Sequence, residues 1–234
     1  MPQVPLLGLW VPLHHEQAMD VITVGATLSS IVMLGIQQRK TFIAVKSEGG
    51  NVKKGPPTFI SKLVTPVHLV SAAIAPIVCV GSVAASTLLD KPELRDELAL
   101  PVELDLWVRT AGKAALRVSA AVGLLALARA KGTIFETLGK QFHFIGPREK
   151  GRVITSGWFA RVRHPLYSLT LGSLGLFAVA FWSWLPLVSL GVCSAAFIYK
   201  IPMEERLITE DADLGAEYEA YKKNVRWRLI PYLW

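Results

Sequence analysis

The sequence predicts an all-α integral membrane protein, and three observations carry that reading. Long runs contain no charged residue, the composition is too apolar for a water-soluble chain, and basic loops alternate with an acidic one. Of 234 residues, 52% are hydrophobic and 18% charged, and the mean hydropathy is +0.40. A net charge of +7 would suit nucleic acid, but no basic run is interleaved with base-stacking aromatics, so the excess reads as charge at a membrane surface and no nucleic-acid partner is expected.

About five transmembrane helices follow. Residues 1–20 lack the basic start, apolar core and small-residue cleavage site of a signal peptide, so insertion is expected to rely on the first internal helix. Residues 21–36 form the first span, ending at Gln37-Gln38-Arg39-Lys40. Residues 63–89 hold no Lys, Arg, Asp or Glu and easily cover a hydrocarbon core of roughly 30 Å; Pro66 and Pro76 are expected to kink this helix. The third span, residues 105–129, carries Arg109, Lys113 and Arg117 on one helical face, which snorkelling to an interface would explain.

Residues 168–199 are again free of charge, and Trp182-Ser183-Trp184-Leu185-Pro186 breaks them into a hairpin of two helices. The tail is helix-prone around residues 217–223 and closes with Trp227, Ile230-Pro231 and Trp234, an amphipathic cytosolic helix followed by an interfacial anchor. Residues 1–130 thus hold about three spans, and 131–234 the hairpin and tail.

Loop charge orients the chain. Residues 37–58 carry Arg39, Lys40, Lys46, Lys53 and Lys54, whereas residues 90–105 carry six acidic residues against Lys91 and Arg95. The first loop should face the cytosol, as should the basic stretch 129–163. Cys79 and Cys193 lie inside apolar runs and suggest neither a disulfide nor a metal site.

Two clusters can carry chemistry. In the first, Thr155-Ser156-Gly157 leads through Phe159 to Arg163-His164-Pro165-Leu166-Tyr167, where Pro165 can open the hairpin helix. The second, Lys200-Ile201-Pro202-Met203-Glu204-Glu205, sits at the hairpin's far end, and paired carboxylates at a membrane boundary suit a cationic ligand. Taken singly, the first is more often a charge anchor with a proline helix start and the second more often a solvated helix face. The hairpin brings both to one side of the membrane, where they can share a pocket.

With Leu138-Gly139, the run Gly215-Ala216-Glu217-Tyr218-Glu219-Ala220-Tyr221-Lys222 and Ile230-Pro231, these clusters resemble, in order, the isoprenylcysteine carboxyl methyltransferase family over about the last 100 residues. The resemblance implies an S-adenosylmethionine cofactor contacted by Val153, Ile154, Phe159, His164, Pro165, Leu166 and Tyr167, with Glu204 at its charged methionine portion. It implies a prenylated, CaaX-processed protein or prenylcysteine peptide as acceptor, its carboxylate met by Lys200, at the cytosolic face of the endoplasmic reticulum. Lys200 stands where the family has arginine, Phe159 where tyrosine is usual, and Gly151 opens a segment that commonly begins with histidine. A carboxylate acceptor is already ionised near neutral pH, so no general base and no metal are expected. Alternatives are a phosphatidylethanolamine N-methyltransferase, which would need a base such as His164 or Glu205, a sterol reductase, and a non-enzymatic membrane scaffold.

Overall fold

The computed structural model describes residues 3–6, 9–12, 15–142 and 145–234, with side chains from residue 16 onward except at 105–107, 109–111 and 143–144. A short antiparallel hairpin, β1 (Gln3–Leu6) and β2 (Leu9–Pro12), precedes the helices α1 (His15–Glu48), α2 (Phe59–Leu88), α3 (Glu93–Asp96), α4 (Val102–Leu138), α5 (Pro165–Phe181), α6 (Leu185–Thr209) and α7 (Gly215–Asn224). Among the described residues, α1, α2, α4 and α6 are long and apolar enough to cross a membrane, and α5 is a shorter apolar helix of 17 residues. The protein is an all-α integral membrane protein.

The spans run past the limits that charge alone suggests. The first covers 34 residues rather than 16, because Arg39, Lys40 and Lys46 remain helical beyond the apolar run. A charge ends the favourable contact with lipid, not the backbone hydrogen bonding of a helix. Likewise α4 continues to Leu138, so a division at 130/131 falls inside one helix. Pro66 and Pro76 lie within one uninterrupted α2, which starts on a capping box between Thr58 and Ser61.

Neighbouring helices follow the order α1, α4, α5, α6, α2, an arc whose end helices α1 and α2 scarcely touch. Lipid is as apolar as leucine, so close packing rather than escape from water holds such an arc together. Small residues permit it: a Cβ on Gly123 of α4 would come within 2.9 Å of Leu176 on α5, while Ala120, Ala121 and Ala128 are buried along α4. The core adds Ala75 and Cys79 from α2, Leu174 and Phe177 from α5, and Cys193, Phe197 and Ile201 from α6. Both cysteines are free thiols in this apolar packing.

The α5–α6 hairpin forms as its sequence requires. Pro165 begins α5, Trp182 takes a left-handed conformation (φ 51°) at its end, and Pro186 lies in the first turn of α6. The hairpin's tip bonds to the acidic loop, Leu100 N–H to Trp182 carbonyl (2.9 Å) and Trp184 N–H to Leu98 carbonyl (3.1 Å).

At this tip end Arg117 does not snorkel. It is 3% exposed, donates to Glu16 (2.8 Å), Asp20 (2.6 Å) and the Ala180 carbonyl (2.8 Å), and so ties α4 to α1 and to the hairpin. Arg95 binds the same Asp20 at 2.6 Å, and Lys113 stands 3.9 Å from Glu16 and over the Trp182 ring. The side chain of Arg109 lies outside the described residues. Partnered acids remove the need to reach water, which a helical pattern viewed alone does not reveal.

The other end of the bundle carries the basic loops and the tail. Trp234 turns back so that its carbonyl oxygen accepts from the amides of Arg228 and Leu229 (both 2.9 Å), and the amides of Arg163 and His164 bond to the Trp227 and Arg228 carbonyls (2.9 Å each). Leu229 and Trp234 thereby join the core rather than only an interface.

Candidate functional site

Between the arms of the arc lies a cavity of about 730 Å³, near the upper range for small-molecule sites. All nine residues expected to bind cofactor or acceptor line it: Val153, Ile154, Phe159, His164, Pro165, Leu166, Tyr167, Lys200 and Glu204. They come from three stretches: the segment before α5, the first turn of α5, and the last three turns of α6.

The centre of the site is the Tyr167–Glu204 pair, with the phenol donating to the carboxylate at 2.9 Å. The Tyr167 ring is stacked between His164 (centroids 5.5 Å apart, planes at 2°) and Phe197 (4.4 Å, 15°). Lys200 is fully buried, its ammonium 5.0 Å from the Tyr167 ring centre and one helical turn from Glu204. A carboxylate 7% exposed, a buried ammonium and three stacked rings thus form one preorganised group.

The paired carboxylates divide their roles. Consecutive helical residues point about 100° apart, so Glu204 reaches the cavity while Glu205 turns to Arg163 (Nε donating, 2.7 Å), His164 (Nε2, 3.2 Å) and Arg228 (Nε, 3.1 Å). Arg163 also donates to the Val225 and Arg226 carbonyls, both at 2.8 Å. Glu205 is therefore the post that joins α5, α6 and the tail, and its lone pairs are committed to cations.

One end of the cavity is aromatic and polar. Tyr218 and Tyr221 of α7 are buried against Val153, Phe159 and Ile208, and Tyr221 Oη donates to the Phe159 carbonyl at 2.7 Å. Burial pushes both phenols above their ordinary values, so they stay neutral donors. Gly151 lies here because there is no room for more: a Cβ would meet the Arg148 carbonyl at 2.9 Å and the Leu214 side chain at 3.0 Å.

The other end is apolar and open. Leu34 of α1, Ala72 and Pro76 of α2, Leu124 of α4 and Phe177 of α5 line it. Ile31 of α1 and Leu69 and Ile77 of α2 line the cavity and are exposed, and α1 and α2 scarcely touch. The cavity therefore opens sideways where α1 and α2 fail to close.

Among the cavity residues that belong to no motif are His68, Lys131 and Ser30. His68 Nδ1 lies 3.1 Å from the Val64 carbonyl, and its ring is 5.1 Å from Phe197. Ser30 Oγ is buried with no hydrogen-bond partner among the described residues. Isolated polar residues in apolar helices give no periodic signal, so only the fold brings them to the site.

The loop before α2 braces the cavity's polar end. Lys53 binds Asp211 (3.2 Å) and Asp213, Lys54 binds Glu210 (2.9 Å), and Val52 pairs with Arg148. Gly146 (φ +97°) allows the Lys54 carbonyl to pass within 1.9 Å of where a Cβ would stand, a position open to no other residue. Hydrogen bonding to Arg206, then to Lys54, holds the Glu210 carboxyl at about 2, below its ordinary 4.5. Its contribution is present above 4.5 and is lost as pH falls through about 2. The pairs are exposed, so replacing Lys53 and Lys54 by alanine is expected to lower the thermal midpoint only slightly at low salt and not at all near 1 M salt. A large loss that persists in high salt would show the brace to be other than ionic.

No protein-family model matches the chain, and no curated protein matches its sequence.

Proposed function

We propose that this protein is an S-adenosylmethionine-dependent methyltransferase that esterifies the carboxylate of a prenylcysteine at the end of a CaaX-processed protein. The site would face the cytosol, in the endoplasmic reticulum membrane. The observation that carries this reading is a single cavity with two unlike ends, an aromatic, carboxylate-bearing one beside the basic loops and an apolar one open toward lipid, with His164, Tyr167, Lys200 and Glu204 at their junction.

The residues suit such a cofactor. Glu204, buried and acidic, matches an ammonium. Phe159, Tyr218 and Tyr221 offer aromatic surface to an adenine, and Val153 and Ile154 add apolar contact. When bound, the cofactor supplies an electrophilic methyl on a cationic sulfonium. An acceptor carboxylate entering from the apolar end meets Lys200, whose charge draws it to the junction of the two ends. Transfer of that methyl to the carboxylate, with the neutral thioether as leaving group, would cancel both charges, so a site screened from water would favour it. No proton moves, and none of these residues need act as a base.

An amine acceptor such as phosphatidylethanolamine would need a base. Glu205 is held by Arg163 and Arg228, and His164 bonds to Glu205, which weighs against that alternative. The deciding experiment measures labelled methyl transfer to N-acetyl-S-farnesylcysteine and, in parallel, to phosphatidylethanolamine. Alkali-labile label on the former supports the proposal; label on the lipid amine alone, or none on either, overturns it. Lys200→Arg is expected to keep most activity, whereas Lys200→Gln raises the acceptor KM about tenfold. An unchanged KM in Lys200→Gln would remove Lys200 from the acceptor's path.

A further inference from the structure

Lys131 is a charge in the cavity that the described contacts leave without a counter-ion. It sits on α4 seven residues before the helix ends, on the face that also presents Leu124, Ala128 and Phe135 to the cavity. Its ammonium donates to Ser173 Oγ on α5 at 2.9 Å, and the Ser173 hydroxyl in turn donates to the Leu169 carbonyl at 2.8 Å. Among the described residues no carboxylate lies within ion-pair distance of Lys131. An ammonium has three donors, so the hydroxyl leaves two unspent. A cation kept in apolar surroundings without an acid is costly, and such residues line ligand paths.

The position matters as much as the charge. Ser173 lies six residues along α5 from Tyr167, roughly 9 Å deeper into the bundle at 1.5 Å per residue. In the arc, α4 and α6 flank α5, so Lys131 and Lys200 stand on opposite sides of that helix. Lys200 has the Tyr167 ring beneath it and Glu204 a turn away, whereas Lys131 lines the same cavity deeper in the bundle, beside Ser173.

We propose that Lys131, oriented by Ser173, is an anion subsite that binds the carboxylate of a lipid-bearing acceptor as it enters from the bilayer. This deepens the methyltransferase reading and, for the identity of the acceptor, rests on it. The subsite also separates substrate from product. Methylation removes the acceptor's negative charge, so Lys131 attracts the acid and has no such hold on the neutral ester.

The test compares the binding of an acid with that of its neutral carboxamide to the purified full-length protein in micelles. One pair is N-acetyl-S-farnesylcysteine and its amide, and a second is oleate and oleamide. Affinity is measured by calorimetry for wild type, Lys131→Met and Lys131→Arg, with S-adenosylmethionine binding as an independent check of the polar end. Wild type is expected to prefer the acid about tenfold, Lys131→Arg to keep that preference, and Lys131→Met to lose it. An acid preference unchanged in Lys131→Met, or absent from wild type for both pairs, overturns the subsite. If only the oleate pair binds, with a preference that depends on Lys131, the subsite stands and the prenylcysteine acceptor falls.

Discussion

Replacing Glu205 by alanine is expected to cost about 3–5 kcal/mol of stability, the range for removing one partner from a buried ion pair. The side chain is 6% exposed and Arg163 8%, so Arg163 left behind cannot simply return to water, whereas Arg228, 30% exposed, can. Arg163, His164 and Arg228 would lose a common partner, and with it the link that holds α5 and the tail to α6. Glu205→Gln should cost less, since an amide oxygen still accepts one hydrogen bond. Thermal unfolding in micelles, followed by circular dichroism, makes the comparison. A loss below about 1 kcal/mol for the alanine variant would mean that water reaches these cations and that the cluster does not hold the site together.

One residue earlier, the expected outcome is the reverse. Glu204→Gln keeps the side chain's shape and an oxygen to accept from Tyr167, so the fold should survive. What disappears is the negative charge offered to the cavity. Losing a hydrogen bond to a charged group costs about 1.5–3 kcal/mol, which predicts a fall in kcat/KM of about 10- to 150-fold. His164→Ala should slow turnover too, because it removes one of the two rings that fix Tyr167. Methyl transfer under saturating acceptor, with cofactor affinity measured separately, tests both. Near-normal turnover in Glu204→Gln alongside an unfolded Glu205→Ala would leave this region a structural joint and no more.

That two adjacent glutamates should differ so sharply shows where sequence reading stops. The motif identifies the pair, and the hairpin explains why it meets the residues around His164. Which carboxylate faces a ligand depends on the tail, since Arg228 and the Val225 and Arg226 carbonyls complete the cage around Arg163 and Glu205. The spans were legible because lipid forbids unpaired charge over a known thickness. Their ends were not, because helical hydrogen bonding continues past the last apolar residue, as in α1. Lys131 is the sharpest case: in sequence it counts as one more charge in a basic stretch, and only the extension of α4 to Leu138 puts it inside the bundle.

The Arg117 cluster bears on how the chain is assembled in a membrane. Glu16 and Asp20 lie at the start of α1, about a hundred residues ahead of the arginine that neutralises them, and the Ala180 carbonyl that completes its set follows more than sixty residues later. During synthesis α1 leaves the ribosome first, with two acids and no partner. Arg95 can meet Asp20 as α3 emerges, Glu16 must wait in the aqueous margin until α4 brings Arg117, and α4 in turn has an unmet donor until the hairpin tip docks. The far end of the bundle therefore closes as a sequence of three dependent steps, and a chain stopped after α4 would hold a helix pair that quality control can recognise as unfinished.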